Sequence, residues 1–183
     1  MSTLYSLVSE TSPKQALVRD AALVVLSSFL IGLFAHVSIP LPFTPVPIAT
    51  QSLFVLLLSV LLGPKRGAAA VLLFLCQGAA GLPVFAGGAA GLAKLAGPTG
   101  GYLIGYIAAA YITGALAERK RTLLNASLAM AAGSAAIYLL GASYLATFVG
   151  LKKAFLLGVA PFLLGDALKV LASARILRFL KWA

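Results

Sequence analysis

Polar residues punctuate this chain rather than alternate through it. Apolar runs extend from about Leu17 to Val37, Ile48 to Gly63, Gly67 to Leu82, Thr99 to Ala117, Leu123 to Gly141 and Ala154 to Leu177. A helix needs about 20 apolar residues to cross a bilayer. The runs therefore predict six transmembrane helices in an all-α bundle, a single domain filling the 183 residues. The second and third are short for that purpose; a different tilt, local thinning of the bilayer or a re-entrant pair would each accommodate them. Residues 1–16 read as a retained polar lead-in, because Glu10, Pro13 and Asp20 come before or at the start of the first run and fit a cleavable signal poorly.

Composition sharpens this picture. Charged residues make up 10% of the chain, against about 25% in soluble domains, which excludes an ordinary soluble protein. The net charge of +10 comes from 14 Lys and Arg, and these are not gathered into a stripe of the kind that reads nucleic acid. They sit at run ends. Lys14 and Arg19 precede the first run, Lys65 and Arg66 join the second to the third, Arg119, Lys120 and Arg121 join the fourth to the fifth, and Arg175, Arg178 and Lys181 close the sixth. With six spans all four groups fall on one side, which the positive-inside rule makes cytoplasmic, together with both termini. The outer loops then fall at about 38–47, 83–98 and 142–153. Attraction to membrane lipid headgroups is a secondary role for the same charge.

Small residues recur at helical spacing. Gly101 with Gly105, Ala129 with Gly133, and Ala132 with Ala136 predict close packing within the bundle, whereas Ser28 with Gly32 on the first run is a candidate face for docking another membrane subunit.

The inventory for catalysis is thin. His36 is the only histidine, which excludes a histidine metal cluster, and a single His near a span end fits an interfacial or packed residue. Cys76 is the only cysteine, so no intrachain disulfide forms. No Gly-Lys dipeptide occurs and hence no Walker A loop, so any ATP-driven step belongs to another chain. No resident cofactor is expected. Asp166 and Lys169 stand out, because each costs about 2.5 to 3.5 kcal/mol at a span centre unless satisfied. Their i, i+3 spacing puts them on one face. Two readings stay open: an internal ion pair that only tolerates burial, and a pair that also binds a polar ligand entering from the outer side, where Pro161 suits a helix start.

Two segments on that outer side complete the candidates. Pro40-Leu-Pro-Phe-Thr-Pro-Val-Pro47 is stiff, extended and poor in backbone donors, a suitable lid. The glycine-rich stretch from Gly78 to Tyr102 allows tight turns or close approach to a ligand. Phe43, Phe85 and Tyr102 can supply apolar walls. Lys94 can meet an anion or face solvated headgroups.

Four motifs carry a resemblance: Pro42-Phe-Thr-Pro-Val-Pro-Ile-Ala-Thr-Gln51, Gly81-Leu-Pro-Val-Phe-Ala-Gly-Gly88, Gly97-Pro-Thr-Gly-Gly-Tyr102 and Gly165-Asp-Ala-Leu-Lys169. Together, in order along the membrane part, they resemble the BioY family, the biotin-binding S components of energy-coupling factor (ECF) transporters. The resemblance implies a six-helix S-component bundle in the cytoplasmic membrane of a bacterium. It also implies capture of biotin from outside and docking onto a transmembrane coupling subunit with two ATPases. By position, Asp166 and Lys169 are implied to contact the biotin head, and a ureido group suits them, with two N–H donors for a carboxylate and a carbonyl acceptor for an ammonium. Lys94 stands where a basic residue meets the valerate carboxylate, and Thr44 and Gln51 of the first motif join the substrate-binding set. Departures at Ala49, Ala89 and Ala90 bear on loop detail, and the Ser28–Gly32 face lacks a clean AxxxA. An S component for another vitamin and a small intramembrane enzyme are the alternatives; a homo-oligomer is open.

Overall fold

The computed structural model describes residues 13–182; Glu10 and most of the polar lead-in lie outside them. The chain is mostly helical. In order it forms α1 (Pro13–Ala35), a two-stranded ladder of β1 (Ser38–Ile39) and β2 (Ile48–Ala49), α2 (Gln51–Leu62), α3 (Pro64–Ala79), a short α4 (Leu92–Ala96), α5 (Gly100–Arg119), α6 (Leu123–Val149), α7 (Leu151–Gly158) and α8 (Leu163–Phe179). Four segments are long and apolar enough to cross a membrane: α1, α5, α6, and α7 with α8 taken together. By length alone α2 and α3 do not qualify. They form a tight corner at Gly63, where Pro64 starts α3 and Gly67 abuts Ser59.

The surface is apolar and the interior is built on small side chains. Leu26, Phe29, Leu33, Leu128, Leu139 and Leu171 all point outward, which suits a lipid solvent. With hydrocarbon outside, burial of apolar area no longer drives helix association, and close van der Waals packing takes over. Accordingly Gly101 lies against Tyr144 and Leu140, Gly105 against Ile137 and Leu140, and Gly133 against Thr113, Leu56 and Ala109. These are the close approaches that the small-residue spacing predicts for α5 and α6. Between them Phe74, Met130, Leu145, Val55 and Val71 are fully buried.

Two expectations need correction. The fifth run does not end at Gly141. The α6 helix continues to Val149, and the stretch 142–153, expected as an outer loop, is helical on both sides of Gly150. Gly141 lies within the helix and its missing Cβ makes room for the Tyr102 ring, whereas Gly150, at φ 82°, takes a conformation that L side chains avoid and ends the helix. The sixth run is likewise broken, by a 3₁₀ turn at Ala160–Phe162 that contains Pro161. Hence α8 starts at Leu163, two residues later than the proline suggests.

The second correction concerns docking. Ser28 and Gly32 face inward: Ser28 is 0% exposed, and its hydroxyl donates to the Val25 carbonyl and accepts from Gln77 Nε2 of α3 at 3.2 Å. Gly32 lies close to Val84, which a Cβ at that position would crowd. This small-residue face is already used by α3 and by the loop after it.

The basic groups gather at one end. Arg66 at the start of α3 pairs with Asp20 near the start of α1 at 2.8 Å. Glu118 near the end of α5 lies against the Gly63 corner, and Leu123 at the start of α6 shares a groove with Arg175 and Arg178 of α8.

Candidate functional site

The site is anchored where α8 begins. Asp166 lies in its first turn and Lys169 one turn later, and their side chains form an ion pair, Nζ to Oδ1 at 2.9 Å. Both are mostly buried, with 15% and 18% of their side chains exposed. Two further helices satisfy them. Tyr138 of α6 donates its hydroxyl to Asp166 Oδ2 at 2.7 Å, and the Lys169 ammonium donates to Ser52 Oγ of α2 at 2.9 Å. Hydrogen bonds to charged groups contribute about 1.5 to 3 kcal/mol each, and an ion pair in a low-dielectric interior persists only when its remaining sites are satisfied in this way.

This cluster borders a small cavity, whose other walls include Val46, Pro47, Tyr102, Tyr106, Ile137 and Phe162. A second small cavity adjoins it, sharing Val46, Pro47, Ala49, Tyr102 and Tyr106, and reaches Gln51, Phe85, Thr99 and Lys94. The two share a wall, and each combines aromatic rings with a few polar groups, the usual character of a small-molecule site.

The walls are held by close fits. Tyr102 threads between α6 and α7: its ring occupies the space that a Cβ on Gly141 would need, and its hydroxyl donates to the Gly158 carbonyl at 2.9 Å. Phe85 stands edge-on to Phe74 at 5.5 Å and fills the space left by Gly78. The glycine-rich stretch thus delivers one aromatic wall by its turn and the other at the start of α5.

At the far end the polar groups wait. Gln51 is 1% exposed, yet its Nε2 has no hydrogen-bond partner among the described residues. Nor does the Lys94 ammonium make a hydrogen bond or ion pair among them. A buried amide donor without a partner costs about 1 to 3 kcal/mol, and the Gln51 amide carries that cost in this structure.

The proline segment forms the outer wall. Its ends are joined by the antiparallel ladder Ser38 to Ala49 and Ile39 to Ile48. Thr44 pins the middle, donating to the Leu157 carbonyl at 2.7 Å and accepting from the Val46 amide at 3.2 Å. An open hollow bordered by His36, Thr44, Pro47, Ala86 and Lys94 adjoins the second cavity, sharing Pro47, Ala86 and Lys94 with it. His36 Nδ1 hydrogen bonds the Gly32 carbonyl at 3.0 Å, as a packed interfacial residue would.

Of the eight substrate candidates, Asp166, Lys169 and Tyr102 meet at the first cavity, while Gln51, Lys94, Phe85 and again Tyr102 meet at the second. Thr44 borders only the open hollow, where its hydroxyl is occupied by backbone. Phe43 is the correction: it is 57% exposed and borders neither cavity, because the turn that brings Thr44 inward leaves its neighbour outside. Sequence reasoning missed Ser52, Tyr106 and Tyr138. Tyr138 and Tyr106 carried a signal, as phenols inside apolar runs need a partner when buried. Ser52 carried none, since a serine in an apolar helix commonly bonds its own backbone.

Comparison with known proteins gives a consistent answer. The model of the BioY family matches residues 6–183. The "Probable biotin transporter BioY" of Pyrococcus horikoshii is 40% identical over 151 residues, covering 82% of this chain and 89% of that protein. The "Biotin transporter BioY" of Thermotoga maritima is 42% identical over 153 residues, covering 83% and 89%. Among solved structures, the crystal structure of the S-component for biotin from an ECF-type ABC transporter superposes with a TM-score of 0.79 at 26% identity, covering 93% of this chain and 94% of that one.

Proposed function

The chain belongs to the BioY family, and from that premise we propose that it is an integral membrane protein of biotin uptake, the subunit that captures the vitamin. The observation that carries the reading is the buried Asp166–Lys169 pair, braced by Tyr138 and Ser52 and opening on a cavity whose far end holds an unpartnered Gln51 amide and Lys94. Biotin has matching ends. Its ureido N–H groups donate to the Asp166 carboxylate and its ureido oxygen accepts from the Lys169 ammonium. Its valerate carboxylate accepts from Lys94 and Gln51 Nε2. Tyr138 holds Asp166 by the oxygen that Lys169 does not use, so the carboxylate is oriented before the ligand arrives. Tyr102, Tyr106 and Phe85 pack on the bicyclic body and the chain.

The finer arrangement belongs to the same proposal. The corner of α2 and α3 completes six spans with the four long segments, and the basic end faces the cytoplasm together with both termini. Biotin then enters through the open hollow on the opposite side, past the pinned proline segment. With no Walker A loop in the chain, the energy for release inward comes from separate ATPases acting through a coupling subunit.

The test is equilibrium binding of labelled biotin to the detergent-purified chain with no other subunit present. Tight binding is expected, and its loss in Asp166→Ala/Lys169→Ala with the helical fold retained. A folded, monodisperse parent that binds no biotin overturns the reading.

A further inference from the structure

We propose that the groove between the start of α6 and the end of α8 is a binding site for one anionic phospholipid, with Arg175 and Arg178 holding its phosphate. The groove is open to its surroundings and is bordered by Leu123, Leu168, Leu171, Ala172, Arg175 and Arg178. Its lining from α8 follows steps of three and four residues, so it forms one continuous stripe. At about 1.5 Å per residue, Leu168 to Arg178 spans about 15 Å of helix. That stripe is apolar toward the middle of the bundle, where Leu168 and Leu171 are exposed, and cationic at the basic end, where Arg66 and the Gly63 corner also lie. A phospholipid has the same polarity over the same length.

Charge complementarity points to an anion from outside the chain. Of the carboxylates among the described residues, Asp20 is held by Arg66, Asp166 by Lys169, and Glu118 lies against the Gly63 corner. None borders the groove, and among the described residues Arg175 and Arg178 form no ion pair. Guanidinium groups suit phosphate because their planar forks match its oxygens in pairs. Basic pockets between helices at the membrane surface bind anionic headgroups on this principle. A soluble anion would satisfy the arginines but leave Leu168 and Leu171 uncovered. The inference rests on membrane embedding, not on the biotin reading.

The experiment is native mass spectrometry of the purified full chain titrated with phosphatidylglycerol or phosphatidylcholine. The parent is expected to retain phosphatidylglycerol in preference. Arg175→Gln/Arg178→Gln should weaken that binding by roughly tenfold or more, given about fivefold for each basic residue near a headgroup, with biotin binding unchanged as the sign of an intact fold. Lys152→Gln/Lys153→Gln, an equal charge loss at the start of α7, should leave it unchanged, and Arg175→Lys/Arg178→Lys should keep part of the preference. Equal loss in both Gln variants would reduce the effect to bulk charge and overturn the site. So would equal retention of the two lipids, displacement by millimolar inorganic phosphate, or unchanged lipid binding in Arg175→Gln/Arg178→Gln.

Discussion

The two ends of the cavity solve the problem of polar groups in a membrane protein in opposite ways. At the α8 end Asp166, Lys169, Tyr138 and Ser52 satisfy one another. At the α4 end Gln51 Nε2 is buried without a partner and Lys94 is unpaired among the described residues. A ligand at the first end enters an existing network, so the benefit is selectivity of geometry more than net energy, since new hydrogen bonds partly replace old ones. On the proposed reading, at the second end it supplies the acceptor that the buried Gln51 amide lacks, so that hydrogen bond adds to affinity without replacing one inside the protein.

The strongest way to break this comparison is Asp166→Asn. Removing one partner of a buried pair leaves an uncompensated charge and costs about 3 to 5 kcal/mol. Thermal unfolding and biotin titration should both fall, affinity by a factor on the order of a hundred or more. Next in size, Tyr138→Phe removes one hydrogen bond to a charged acceptor, about 1.5 to 3 kcal/mol. Isothermal titration should show weaker biotin binding by on the order of tenfold or more, with the ion pair retained. The smallest change sharpens the contrast. Gln51→Leu should raise the unfolding temperature slightly, because an unsatisfied buried amide disappears, while weakening biotin binding by roughly fivefold, for about 1 kcal/mol of lost hydrogen bond. If Gln51→Leu lowered stability and affinity together, the two ends would not differ in the way described.

The difference also explains what the amino-acid pattern reveals. Asp166 and Lys169 were legible because a charge in an apolar run has few innocent explanations and the spacing of three puts them in reach of each other. Their partners were not, since Tyr138 and Ser52 come from α6 and α2 and meet α8 only in three dimensions. Small residues show that something approaches closely, not what. Gly101 and Gly133 meet neighbouring helices as expected, but Ser28 and Gly32 meet α3 and the following loop instead of a foreign subunit. Glycine as punctuation is equally ambiguous. Gly141 receives a tyrosine ring and stays helical, whereas Gly150 ends its helix, and nothing local to either tells them apart. The apolar runs located the helical segments to within a few residues at most ends. The Ser38 to Ala49 ladder was hidden because only two residue pairs form it, too few to leave a period-two pattern.

The 3₁₀ turn at Ala160–Phe162 has an electrostatic consequence. Had α7 run on into α8, Asp166 would sit in mid-helix, where every amide is engaged by the carbonyl one turn before. Because the chain breaks there, α8 begins at Leu163 and the carboxylate stands in a first turn, near the positive end of that helix's dipole. The interruption between α7 and α8 therefore brings a field of the right sign to the one carboxylate that borders the cavity.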